Sequence, residues 1–299
     1  MRSNRSSQGA GAGAGAGVGA GAAETFNRNV KLLQMRGYYL HPQDDWHSRS
    51  VAKASSNNGR VVALKYLKKA QNNCELQILQ YLQHQPDLHY VIPLIDSIAV
   101  THGDIIVMPS LWPLEVMINK DPSIAQPMRT QFLEAVLFLH RNKVAHLDLK
   151  PGNALVDIIP FPRLSLIDFG LSVIGADEDT EVVGYRGTPS WSAPEVGTMD
   201  GPRLKFKAIL ADRWSCGKVL WFIKQGAPFM VSDPEFDHQC ERLLGSDPET
   251  RPSLETVFQS QSSSSRAKAM TKRSPDLESQ FVLKRARTKW CVHLSLPCI

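Results

Sequence analysis

The hydrophobic pattern of this chain changes period part-way along it, and that change constrains the fold more than any single residue does. Between residues 38 and 109, short β-prone apolar runs (Arg60 to Tyr66, Val91 to Ala99, Asp104 to Met108) alternate with turn residues, and one helical stretch, Asn73 to Gln83, interrupts them. Runs of that kind predict a small sheet with one helix. From Pro127 the apolar residues Met128, Phe132, Val136 and Leu139 recur at spacings of four, four and three, behind a proline at a favourable helix-start position. The spacing predicts an amphipathic helix running to about Arg141. An almost wholly apolar stretch predicts a second helix across Phe206 to Lys224. A sheet-rich first half followed by a helix-rich second half implies an α+β enzyme with two lobes.

Composition permits a core of that size. With 299 residues, 42% hydrophobic and 21% charged, the chain is neither a collagen, a membrane bundle nor a wholly disordered protein. No run approaches the ~18 uninterrupted apolar residues of a membrane span. Cys74, Cys216, Cys240, Cys291 and Cys298 are odd in number, scattered, and never in the paired spacing of a zinc site. They fit a reduced intracellular compartment, cytoplasmic or nuclear.

The net charge of +5 is unevenly distributed. Residues 1–36 carry five Lys/Arg against Glu24 alone, and 260–299 carry eight against Asp276 and Glu278, so the body between them is slightly acidic. The positive total is therefore no argument that the body binds nucleic acid. From Gly9 to Gly21 glycine alternates with Ala or Val; such a composition buries little and loses much entropy on ordering, so residues 1–36 are expected to be a disordered leader. Arg2, Arg5 and the serines before Glu24 resemble a mitochondrial transit peptide, but the glycines would defeat its amphipathic helix. Residues 260–299, Ser-rich and then basic through Lys284, Arg285, Arg287 and Lys289, read as a disordered tail able to engage import machinery or an acidic partner.

The residues that carry chemistry lie in the body. His146-Leu147-Asp148-Leu149-Lys150-Pro151-Gly152-Asn153 is followed, twenty residues after Asp148, by Asp168-Phe169-Gly170. Each piece alone is weak, since such fragments are commonly turns. In order, with Val62-Ala63-Leu64-Lys65 upstream and Ala193-Pro194-Glu195 downstream, chance agreement is excluded. The set resembles the eukaryotic protein kinase family, and does so across residues 38–258. Its flavour is similar to divergent kinases of filamentous fungi.

The resemblance implies a bilobal kinase fold with lobes at 37–110 and 111–259, ATP and Mg2+ as cofactors in the cleft between them, and a protein substrate bearing Ser or Thr. It assigns Lys65 to the ATP α/β-phosphates and Glu75 to steadying that lysine, Glu75 being chosen because Leu79 follows one helical turn later. It assigns Asp148 to the substrate hydroxyl's proton, Lys150 to the transferring phosphate, and Asn153 with Asp168 to magnesium, an ion that favours oxygen ligands. Val51, Ala63, Met108, Leu111 and Leu155 would line the nucleotide, whose base would meet backbone near Pro109 to Leu111. Asp212 would brace the catalytic loop, and Arg251 would form a buried ion pair with Glu195. Lys150 and Gly187-Thr188-Pro189-Ser190-Trp191 resemble the serine/threonine branch, with Thr188 turned toward Asp148 and Lys150.

Three departures from the family pattern carry expectations of their own. Asp44, Trp46 and Arg49 stand where the phosphate loop should have glycines, which favours a kinase-shaped scaffold without catalysis as the rival reading; retention of Lys65, Glu75, Asp148, Asn153 and Asp168 together opposes it. Leu147 stands where an arginine normally precedes the catalytic aspartate, so loop phosphorylation has no usual cation to pair with, and activity is expected not to depend on it. The acidic run Asp177, Glu178, Asp179 and Glu181 reads as a solvated loop face. Glu75 lies only ten positions after Lys65, which implies a truncated approach to the helix of the sheet-rich half, and Arg251 only 39 after Asp212, so the helical half is expected to lack most of its peripheral helices. No interleaving of aromatic and basic residues suited to an RNA-binding sheet is present, which argues against nucleic acid as a partner.

Overall fold

The computed structural model describes residues 16–48, 50–69, 74–86, 90–158, 161–227 and 232–261, with the backbone alone at 16–20. These residues divide into two compact units. The first holds those up to Lys68 together with Ile95–Ser110, and the second holds Lys69–Leu94 and the chain from Leu111. The class is α+β, one unit sheet-rich and the other mainly helical.

In the first unit, helices α1 (Ala16–Arg28) and α2 (Val30–Met35) precede five strands: β1 (Tyr38–Leu40), β2 (Val51–Ser56), β3 (Val61–Lys68), β4 (Asp96–Val100) and β5 (Gly103–Pro109). All pairs are antiparallel, in the order β1-β2-β3-β5-β4. Alternation along each strand gives the sheet two distinct faces. Ala52, Ala54, Val62, Leu64, Ile105 and Val107 point to one face and pack with Ala22, Phe26, Leu33 and Trp46. Residues 21–36 are thus not the disordered leader that composition predicts. Phe26 and Leu33 are fully buried, each stabilising by roughly 2 kcal/mol, and Arg36 pairs with Asp96 on β4 at 2.6 Å. Residues 1–15, the tail beyond Gln261 and Arg49 lie outside the described residues.

The second unit contains α3 (Glu75–Gln83), β6 (Trp112–Pro113), α4 (Leu114–Lys120), α5 (Ala125–Arg141) and β7 (Val144–Ala145), then β8 (Ala154–Asp157) and β9 (Arg163–Leu166). Beyond these come β10 (Val173–Ile174), β11 (Glu181–Val183), β12 (Lys205–Lys207), α6 (Ala208–Gln225), α7 (Pro234–Arg242) and α8 (Leu254–Gln259). The helix predicted from Pro127 is α5, with Met128, Phe132, Val136 and Leu139 wholly buried. The helix predicted from Phe206 begins two residues later. Lys205–Lys207 instead pairs as a strand with Glu181–Val183, because that register buries Phe206 and Val182 in one cluster. Between α6 and Arg251 the described residues contain a single α-helix, α7, and one short 3-10 turn at Pro248–Thr250, as the short interval implied. Among the described residues no helix is long and apolar enough to cross a membrane.

Candidate active site

The expected nucleotide-lining residues of the first unit share a sheet face. Val51 lies opposite Lys65, and Ala63 opposite both Lys53 and Met108. Residues directly opposite in an antiparallel ladder project to the same side, so Val51, Ala63, Lys65 and Met108 occupy the face away from Phe26 and Leu33. No glycine stands between Gly37 and Gly59. Where the glycine-free phosphate loop was expected, the Gln43–Asp45 turn leads into Trp46, which is buried, meets Phe26 edge to face at 5.4 Å and donates its indole N–H to His41 O at 3.0 Å. That loop is anchored by an aromatic ring.

In the second unit the loop after β7 is held from beneath by Asp212 of α6, itself fully buried. One carboxylate oxygen accepts the backbone N–H of His146 at 2.5 Å and the other that of Leu147 at 2.8 Å. Leu147 has φ +62°, a left-handed conformation that costs a non-glycine residue about 1–2 kcal/mol, offset here by charge-assisted hydrogen bonds. His146 accepts the Asp148 N–H at Nδ1 (3.2 Å), so its proton is on Nε2 and goes to Ile167 O at 3.0 Å. Its ring leans on buried Phe169 at 5.0 Å.

These constraints present Asp148 in a fixed setting. Its Oδ2 accepts from Lys150 Nζ at 2.8 Å and from Asn153 Nδ2 at 3.0 Å. Its Oδ1 accepts from Thr188 Oγ1 at 2.7 Å, while Thr188 Oγ1 accepts from Lys150 Nζ at 2.6 Å. Thr188 is delivered by Gly187, whose φ is +109° and where a Cβ would stand 2.9 Å from Leu147 O; no other residue fits. Asn153 spends Nδ2 on Asp148 O and Oδ2, which turns its amide oxygen to other use. Asp168 follows Ile167, whose N–H donates to Asn153 O at 3.0 Å, and it has φ +66°. A Cβ on Gly170 would lie 3.4 Å from Asp168 Oδ1 and 3.6 Å from Glu75 Oε2, so both carboxylates flank that glycine. Leu155 lies on β8 opposite Pro113 of β6, and Leu111 directly precedes β6. Deeper, Arg251 grips Glu195 through two nitrogens at 2.6 and 2.8 Å and gives further hydrogen bonds to Leu210 O and Gly245 O.

The protein kinase domain model matches residues 47–273, more than half of the chain. The chain belongs to the protein kinase family. Among curated proteins it is 30% identical over 196 residues to human death-associated protein kinase 2, covering 58% of this chain and 50% of that one. It is also 30% identical to serine/threonine-protein kinase 10 of Xenopus tropicalis, covering 62% of this chain and 22% of the other. To serine/threonine-protein kinase SRK2I of Arabidopsis thaliana it is 39% identical over 108 residues, 35% of this chain and 27% of that one. The chain spans half or less of the length of these relatives.

Within this kinase domain, Leu147 is nearly buried in a cluster with Ala145, Ala176, Val196, Phe206 and Ile209. The segment from Leu171 to Ser192 is therefore ordered by apolar packing and by the β10–β7 and β11–β12 pairs. The acidic run is exposed, as expected, but is also paired: Glu178 with Arg213, Glu181 with Lys205, and Asp179 with Lys207 at 3.1 Å. Sequence reasoning did not flag Arg213, Gly187 as a backbone requirement, or His140, whose Nε2 lies 3.3 Å from Asp212. Only packing brings Arg213 to Glu178, Gly187 to Leu147 and His140 to Asp212.

Proposed function

We propose that this chain is a serine/threonine protein kinase, moving the γ-phosphate of ATP to a Ser or Thr hydroxyl of a protein substrate. The observation that carries the reading is the hydrogen-bonded group of Asp148, Lys150, Asn153 and Thr188. A carboxylate fixed by three donors has no freedom to wander from the hydroxyl it must serve, and positioning supplies most of the acceleration in phosphoryl transfer. In this reading Asp148 accepts the hydroxyl proton, Lys150 faces the charge of the transferring phosphate, and Thr188 keeps the two in register. Lys65, on the sheet face shared with Val51, Ala63 and Met108, holds the α/β-phosphates.

Asn153 and Asp168 offer an amide oxygen and a carboxylate, a hard donor set that suits magnesium. No cluster of three His, Cys, Asp or Glu side chains stands ready for a metal among the described residues, and magnesium needs none, since phosphate and water oxygens complete its shell. When bound, the ion would neutralise charge on the phosphates. Leu147 in its apolar cluster supports activity that does not wait for phosphorylation of the 171–192 segment.

A second reading, a kinase-shaped scaffold without catalysis, is favoured by the glycine-free loop before Val51. Labelled ATP decides between them. Phosphotransfer by the wild type that is lost in Asp148→Asn, with Mg-ATP raising the Tm of both proteins, supports the enzyme; equal background from both supports the scaffold.

A further inference from the structure

The C-terminal end of α5, the first turns of α6, the start of α8 and the chain after Gly175 line an open cleft of about 270 Å³. None of its walls belongs to the group around Asp148. Arg213, the residue after Asp212, lines it and is only 7% exposed. Its Nη2 donates to Glu178, while its Nε has no hydrogen-bond partner. Those two N–H bonds leave the same edge of the guanidinium and are spaced for two oxygens of one anion. Glu178 uses one of them and leaves the other idle inside the protein, where unmet donors are rare.

Two more cations line the same space. Lys143 sits in a turn with φ +57°, fixed where its carbonyl accepts the Ala176 N–H at 2.8 Å, and Arg141 pairs with Glu255. The remaining titratable lining groups are His140, bound to Asp212, and Asp177, whose carboxyl is held below the usual range chiefly by the Thr180 hydroxyl. The acids opposite the cations are surface groups: Glu178 is 66% and Glu255 42% exposed. Water solvates such carboxylates well, so exchanging them for another anion costs little.

We propose that this cleft binds a phosphate group, which takes both the Nε–H and Nη2–H of Arg213 in place of Glu178 and is neutralised by Lys143 and Arg141. A tetrahedral dianion meets the whole guanidinium edge and the two flanking cations together, which the single Glu178 contact does not. Because Glu178 belongs to the 171–192 segment, an occupant releases that residue.

The test is calorimetric titration of the full chain with inorganic phosphate and, in a parallel arm, with O-phosphoserine, together with crystals soaked in tungstate to locate the anion. Removing the internal competitor with Glu178→Gln should tighten phosphate binding about fivefold, and Lys143→Ala or Arg141→Ala should weaken it about threefold. Replacing buried Arg213 risks the fold, so the exposed Lys143 variant carries the decision. Preference for phosphoserine identifies a phosphorylated side chain as the source and equal affinity identifies a free anion; either supports the site. The proposal falls if wild type, Glu178→Gln and Lys143→Ala bind phosphate equally, or if tungstate lies away from Arg213.

Discussion

The loop after β7 and the loop between β1 and β2 both hold irregular backbone in place, by opposite means. Residues 146–153 are fixed by charge: buried Asp212 takes two backbone N–H groups, and Asp148 is tied by Lys150, Asn153 and Thr188. Residues 41–48 are fixed largely by shape, with Trp46 packed against Phe26 and its indole N–H on His41 O. A polar network specifies positions finely but depends on every member, since a lost partner leaves a desolvated charge. An aromatic anchor is less particular, and its loss is felt as a cavity.

That contrast can be broken at either end. The largest effect on activity belongs to Asp148→Asn, which keeps the shape and removes the proposed base; phosphotransfer should fall about 10³-fold at a cost in Tm well below that of Arg251→Met, and a drop in Tm as large as that one would mean that the residue is structural. Arg251→Met comes next. Arg251 is buried against Glu195, so its loss should cost about 3–5 kcal/mol in denaturant unfolding, and a near-neutral result would refute the view that such pairs must be kept whole. Trp46→Ala should cost about 3 kcal/mol, with hydrogen exchange rising in β1 and β2 while the Asp148 loop stays protected; equal loosening of both loops would erase the distinction.

The smallest effect concerns pH. Burial pushes the Glu134 carboxyl up to about 7, and Tyr90 donates its hydroxyl to that side chain. The folded state therefore holds the Glu134 proton more tightly than the unfolded chain, whose value is near 4.5. Its stabilising contribution is full below about pH 4.5 and is lost as pH rises through about 7. The Tm of the wild type should decline between pH 5 and 8 relative to that of Glu134→Gln, and parallel profiles would remove Glu134 from consideration.

How much of this could be read in advance differs by region. Asp148, Lys150, Asn153 and Asp168 were legible because their order and spacing match the protein kinase pattern, and α5 was legible because its apolar period is strict. The cover of α1 and α2 over the sheet was not. Its signal, Ala22 and Phe26 four apart and then Leu33, was outweighed by the Gly/Ala alternation before it, since composition averages over a window while burial acts on single side chains. The start of α6 was misjudged because Phe206 is apolar in either element; only pairing with Glu181–Val183 makes it a strand.

The linear order of residues by itself determined the α+β class, the kinase family and the identities of the polar groups at the site, because each depends on local periodicity or on short motifs at fixed spacing. Tertiary structure alone decided that Trp46 anchors its loop against Phe26, that Leu147 packs in an apolar cluster, and that Glu178 reaches only half of the Arg213 edge. Those outcomes depend on which distant surfaces meet. Packing and desolvation are properties of the assembled neighbourhood, and no residue carries them in its own type.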